Sequence, residues 1–245
     1  MGRIRSRARP YIFIVGMALA DITNADVQTA AKEGKTSMTI KDDTVSGFLD
    51  KLSSSNPTPG GGSASAAAGA LGTALTAMVC ALTKGRNKYA EYEQRTVEAE
   101  QRANELRERF LAAAAKDIKG YDAVSAVFPM PRDTEEQSAA RRAAMQSALK
   151  GCTLPPFEMM GLACEALELT KSLVGRTNTS AAADLGVAAA ELRAAVRGAW
   201  LNVVVNTNLI EDRDFAGRYQ REGKLLLDKA LPLADQIYEE ILNSL

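Results

Sequence analysis

PTPGGGSASAAAGALGTALTAMVCALT, residues 57–83, contains no charged residue, and no proline after Pro59. Proline is tolerated at a helix start, and glycine lets a ligand or a neighbouring backbone approach closely. Gly60, Gly61 and Gly62 therefore read as a loop, Ser63 as an N-cap and Ala64 onward as helix. Ala66, Ala67, Ala68, Gly69, Ala70 and Gly72 leave that helix thin enough for close packing on several sides, which places it inside a bundle. Its entrance has two readings. A flexible lead into a buried helix needs no ligand, whereas a helix N-terminus offers unpaired N–H groups to an anion or a carbonyl. The Gly-Lys-Ser/Thr of a nucleotide phosphate loop and the Gly-x-Gly-x-x-Gly of a dinucleotide site are both missing here.

Around this helix the sequence predicts an all-α protein. Aromatic residues make up 5% of the chain, alanine is abundant and strand-like alternation is scarce. The 245 residues suffice for one good core and give no sign of a second. Lysine and arginine balance aspartate and glutamate at 30 each. Residues 1–37 hold six basic and three acidic residues, so 24 face 27 in the remainder. A mildly acidic body argues against nucleic acid as the main partner. Histidine is absent, which removes Ser-His-Asp and Cys-His catalysis, histidine metal sites and histidine general bases. Cys80, Cys152 and Cys164 lack paired metal-ligand spacing and read as reduced core thiols of a cytoplasmic protein. No metal is expected. Any chemistry falls to carboxylates, amides, hydroxyls, lysine or arginine.

Residues 1–37 differ from the rest. Arg3, Arg5, Arg7 and Arg9 precede a short apolar run, Tyr11 to Ala20, which imitates a signal peptide but is too short to span a bilayer. The expectation is an over-extended start, with Met38 the true one and 38–245 the folded domain; a processed targeting segment is the competing view. From Thr44 a short amphipathic helix carries Val45, Phe48, Leu49 and Leu52. Beyond the central helix, Lys84, Arg86 and Lys88 form a basic turn, which offsets the helix dipole or holds an anionic ligand. A long helix from about Ala90 to Phe128 has Leu106, Phe110, Leu111, Ile118, Tyr121 and Val124 as core candidates, with Asp117 and Tyr121 on one face. Asp133 or Thr134 caps the next helix, predicted to kink or restart at Pro155-Pro156.

After a polar turn at 175–180 another helix is expected to carry Asp184 near its start, then Val187, Leu192, Val196, Trp200 and Val203. Asn202 and Asn206 lie four apart in the apolar run LNVVVNTNLI. Asparagine is a poor helix former and costly to bury unpaired, so the pair reads as an interhelical hydrogen-bonding device or as a ligand contact. Asp184 and Asn202 point the same way but stand about 27 Å apart along a straight helix. Glu211 to Asp214 opens a last amphipathic helix with Phe215, Leu225, Leu226, Leu233, Ile237 and Ile241. No helix past Met38 reads as transmembrane.

These residues together carry a resemblance. PTPGGGS with its Ala/Gly-rich helix, Asp117-x-x-x-Tyr121, Met130-Pro131-Arg132, Thr153-Leu154-Pro155, Asn178 with Asp184, Val187-Ala188-Ala189, and Asn202-Val-Val-Val-Asn206 followed by Asp212-Arg213 resemble, in order, the formiminotransferase–cyclodeaminase family. The likeness runs from about Thr44 to the C-terminus and is greatest to its single-domain cyclohydrolases. Ala183, where a serine is common, Gly120 before Tyr121 and the loop at 176–183 depart from the pattern. The resemblance implies an all-α obligate homodimer that binds a folate near the subunit interface. The implied reaction is hydrolysis of 5,10-methenyltetrahydrofolate to 10-formyltetrahydrofolate, with no cofactor beyond the folate substrate. Asp117, Asp184 and Asp212 are the implied candidates for the carboxylate that takes a proton from water. Gly60, Gly61, Gly62, Ser63, Tyr121, Asn202 and Asn206 are the candidate folate contacts, and Lys84, Arg86 and Lys88 suit its glutamate tail. Formiminotetrahydrofolate cyclodeaminase and a non-catalytic folate-binding dimer are the rival readings.

Overall fold

The computed structural model describes residues 40–245, so the expectations for residues 1–37 and for Met38 lie outside the described residues. Six α-helices occur there, and no strand does. Thr44 caps α1, Val45–Leu52, by accepting a hydrogen bond from Gly47 N. No residue of α1 is buried; Val45 and Leu49, expected on a core-facing stripe, are exposed. Next come α2, Gly61–Thr83, and a tight 3-10 segment, Asn87–Tyr92. They are followed by α3, Glu93–Ser125; α4, Glu135–Leu173; α5, Ala182–Leu209; and α6, Arg213–Leu242.

α2 is the hub, packed along α3 and α5. Small residues let both neighbours approach. A Cβ at Gly69 would collide with the Phe110 ring of α3, and one at Gly72 with Leu192 of α5. Thr76 Oγ1 and Thr170 Oγ1 share a 2.9 Å hydrogen bond that ties α2 to α4. Phe110, Leu106, Met159, Leu167, Leu192 and Ile237 lie fully buried in the common core. By length and composition α2 is apolar enough to cross a membrane, yet only half of its most apolar stretch is buried in this fold. Leu71, Met78 and Leu82 of α2 and Val187, Leu201, Val205 and Leu209 of α5 remain exposed. They lie on the outward sides of two helices packed together.

Several boundaries differ from expectation. The helix of α2 begins at Gly61, with Gly60 as N-cap, so Ser63 sits inside the first turn and caps nothing. The long third helix is preceded by the 3-10 segment, where Tyr89 has a non-helical backbone (φ −117°, ψ 15°). The buried Tyr89 ring anchors this break, its hydroxyl accepting a 3.0 Å hydrogen bond from Thr179 N. Thr134 is the cap of α4, in a reciprocal capping box with Gln137. α4 then runs unbroken through Pro155 and Pro156. Val187 and Leu225 are exposed rather than core, while Leu192, Val196, Val203, Ile237 and Ile241 are buried as the pattern predicts.

Candidate active site

Three helices converge on the first turn of α2. Asp117 of α3 lies against Gly62 so closely that a Cβ there would fall within 2.5 Å of the carboxyl carbon. On the other side, a Cβ at Gly61 would stand 3.6 Å from Asn202 Nδ2 of α5. Gly62 is thus required by close approach, whereas at Gly61 a Cβ would make only ordinary contact, and the expected loop is a helical turn whose backbone faces a carboxylate and an amide. One turn further, Ser65 Oγ donates to Gly61 O and packs on Gly198 of α5 with no room for a side chain at 198. Ser63 is completely buried, and its Oγ has no hydrogen-bond partner.

Asp117 is the unusual acid of this group. Among the described residues it has no ion pair or hydrogen bond, and burial pushes its carboxyl up to about 6. The N-terminus of α2 beside it favours the ionised form. The outcome is a carboxylate poised to exchange a proton near neutral pH. Tyr121, one turn along α3, is half-buried, and its phenol is raised by the same desolvation. Between them Gly120 meets Cys152 of α4, whose Sγ would be 3.2 Å from a Cβ at 120. Burial, with some help from Asp117, raises the Cys152 thiol to about 11 and keeps it protonated.

Both asparagines commit their amide N–H groups. Asn202 Nδ2 donates to Gly198 O at 2.9 Å, on its own helix. Asn206 Nδ2 donates to Cys152 O at 2.9 Å, across to α4. Among the described residues neither Oδ1 has a hydrogen-bond partner, so each side chain pairs on one end and leaves an acceptor on the other. The interhelical reading therefore holds for Asn206 alone, while both residues keep an acceptor for a ligand.

The remaining sequence-predicted residues sit elsewhere. α5 is one unbroken helix, so Asp184, in its first turn, is held about 27 Å from Asn202 within one chain. Asp184 shares the far end of the bundle with the basic turn, where Asn178 N donates to Thr83 Oγ1 at 2.9 Å. There Lys84 pairs with Glu100, Lys88 Nζ stands 5.3 Å from the Tyr89 ring centre, and Arg86 is exposed. Asp212 belongs to the same end as Asn206 but is occupied. It caps α6 through Phe215 N at 3.0 Å and pairs with Lys150 at 2.7 Å, which holds its carboxyl below the usual range. Gly60 is the N-cap at the rim.

Cys152, expected only as a core thiol, Gly120, expected only as a departure from the family pattern, and Gly198, not singled out by the sequence, all belong to the site's framework. Gly120 betrays itself only by standing between Asp117 and Tyr121, and Cys152 by preceding Pro156 by four residues. No cluster of three or more cysteine, aspartate or glutamate side chains able to hold a metal occurs among the described residues.

Residues 44–224 match the formiminotransferase-cyclodeaminase family. Methenyltetrahydrofolate cyclohydrolase of Methylorubrum extorquens is 39% identical over 199 residues, 81% of this chain and 96% of that protein. Formimidoyltransferase-cyclodeaminase of Sus scrofa is 28% identical over 201 residues, 79% of this chain but 36% of that longer protein. Among solved structures, formiminotetrahydrofolate cyclodeaminase from Thermotoga maritima superposes with a TM-score of 0.70. The superposition covers 84% of this chain and 97% of that one at 22% identity, a likeness of fold.

Proposed function

The chain belongs to the formiminotransferase-cyclodeaminase family, and from that membership we propose that it hydrolyses 5,10-methenyltetrahydrofolate to 10-formyltetrahydrofolate. The observation that carries the mechanism is Asp117, half-buried, without a partner and raised to about 6 beside the N-terminus of α2. The bridging carbon of the substrate is an amidinium, already electrophilic, so water needs only a base and a stabilised cation. Asp117 does both. Its charge faces the cationic ring, and its oxygen takes one proton as water forms the new C–O bond. The tetrahedral intermediate then breaks its bond to N5. Asp117 returns the proton to N5, and the second proton of the water leaves to solvent. The formyl group stays on N10.

Asn202 and Asn206 offer Oδ1 acceptors to N–H groups of the pterin, and Tyr121 offers its hydroxyl. The backbone of Gly60, Gly61, Gly62 and Ser63 suits a carbonyl of the folate. Asp212, already capped and paired, is assigned to holding the start of α6. Supporting the hydrolase over the deaminase is the single-domain relative matched over 96% of its own length, which is named a cyclohydrolase. Formiminotetrahydrofolate cyclodeaminase chemistry works on the same carbon and is the second reading.

The active form is a homodimer in this reading, formed through the exposed apolar sides of α2 and α5. A helix apolar on all faces but only half buried calls for a second cover. Leu71 and Leu201, 57% and 64% exposed, are its most prominent members. A twofold axis crossing α2 near its middle lays the far end of one protomer beside the α2 entrance of the other. Asp184, Lys84, Arg86 and Lys88 of the partner subunit then reach the shared cleft, with the cations meeting the folate's glutamate. The test is the loss of 5,10-methenyltetrahydrofolate absorbance on adding protein, against spontaneous hydrolysis. Enzyme-dependent loss with 10-formyltetrahydrofolate as product is expected. Ammonia release from formiminotetrahydrofolate without it would establish the deaminase instead.

A further inference from the structure

Pro156 lies inside α4 and has no N–H. In a regular helix that N–H would bond to the carbonyl four residues back, which is Cys152 O. The carbonyl thus loses its intrahelical donor at the level of the site, and a buried carbonyl left unpaired is costly. Asn206 Nδ2 fills the gap from α5 at 2.9 Å. That bond also decides which way the Asn206 amide faces, because a flipped amide would set Oδ1 against Cys152 O. The same residue, Cys152, packs on Gly120 of α3, next to Asp117 and Tyr121. One turn of α4 therefore touches both walls of the cleft, through a side chain on one side and a carbonyl on the other.

We propose that Pro156 is a positioning residue for this reaction: by stripping Cys152 O of its helical donor, it fixes the Asn206 amide so that Oδ1 is presented to an N–H of the substrate's fused ring. The proposal deepens the folate reading and rests on it for the identity of that N–H. A purely structural account of Pro156 predicts something different. A proline inside a helix is unfavourable, so its replacement by alanine would raise or preserve stability and leave turnover unchanged.

Two variants separate these accounts. Pro156→Ala supplies an N–H that pairs with Cys152 O along the helix and releases Asn206. The expected result is a melting temperature equal to or above wild type with kcat/KM for 5,10-methenyltetrahydrofolate lowered about tenfold, chiefly through KM. Asn206→Asp removes the donor and sets a carboxylate against Cys152 O. It is expected to lose at least tenfold alone and much less in the Pro156→Ala background, where the carbonyl is already paired. An activity-independent reading comes from NMR of asparagine side-chain amides. One slowly exchanging amide, identified by its absence in Asn206→Asp, is expected in wild type and gone in Pro156→Ala. Unchanged kcat/KM in Pro156→Ala, additive losses in the double variant, or an Asn206 amide still protected in Pro156→Ala would each overturn the proposal. A wild type that is silent on methenyltetrahydrofolate while the amide signature behaves as expected would overturn the folate reading and leave the positioning device standing.

Discussion

Replacing Asp117 by asparagine separates catalysis from stability in opposite directions. Burial raises the carboxyl from 3.8 to about 6, which means that the folded protein holds this proton more tightly than the unfolded chain does. The associated stability is fully present below about pH 3.8 and is lost as pH rises through about 6. Two pKa units at 1.36 kcal/mol each make the charged form about 3 kcal/mol dearer in the fold than in the unfolded chain, an upper figure because the group is only partly shielded from water. Asp117→Asn keeps the shape and removes the charge. At pH 7.5 it should therefore be more stable than wild type by about 1–3 kcal/mol, a rise of roughly 3–9 °C in melting temperature for a chain of this size. At pH 4 the gap should shrink to about 0.6 kcal/mol or less. Turnover should fall by a factor of 10² to 10⁴, the range of a lost acid–base group. Wild-type kcat/KM, corrected for spontaneous hydrolysis, should climb through about pH 6 and level off, because the base works ionised. Thermal melts at both pH values and a pH–rate profile settle the matter. A variant less stable than wild type at pH 7.5, or within threefold of wild-type turnover, would refute the reasoning.

Gly62→Ala should lower kcat/KM at least tenfold by pushing the Asp117 carboxylate off its seat; Gly69→Ala, which strikes the Phe110 ring away from the site, should instead cost about 1–3 kcal/mol in chemical denaturation. Leu201→Glu should give monomers in sedimentation at micromolar concentration and lose activity with dimerisation, since the cleft is shared in the proposed assembly. Arg86→Glu should raise KM several-fold with kcat nearly unchanged, and added salt should shrink the difference in steady-state assays.

The bundle was legible because the sequence fixes α2 through charge and size alone: residues 60–83 have nowhere to go but inward or against another chain. The Asp117–Gly62 contact was not legible, since it joins residues far apart in sequence through the absence of a side chain. Asn206 shows an intermediate case. Its awkwardness in an apolar helix announced a polar task, but the partner is a backbone carbonyl exposed by a proline in another helix, and backbone carbonyls leave no letter in the sequence. For the same reason Pro155-Pro156 reads as a break although α4 continues through it. Asp212 shows how a local duty can hide behind a motif. Its place behind Asn206 suggested chemistry, whereas the local geometry gives it the duty of a cap.

The half-covered α2 also has a consequence for how the protein is made. At about 5–20 residues per second, α5 is completed roughly 6–25 s after α2 has been synthesised. Through that interval the nascent chain displays a segment with the length and apolarity of a membrane span, with α3 and then α4 available to cover it but not yet α5. In the proposed dimer its outward side is covered only once two finished chains meet. Under that proposal, cellular yield should depend on how fast chains meet: slowed translation between α2 and α5, or scarce expression, would divert chains to degradation without any change in the stability of the finished protein.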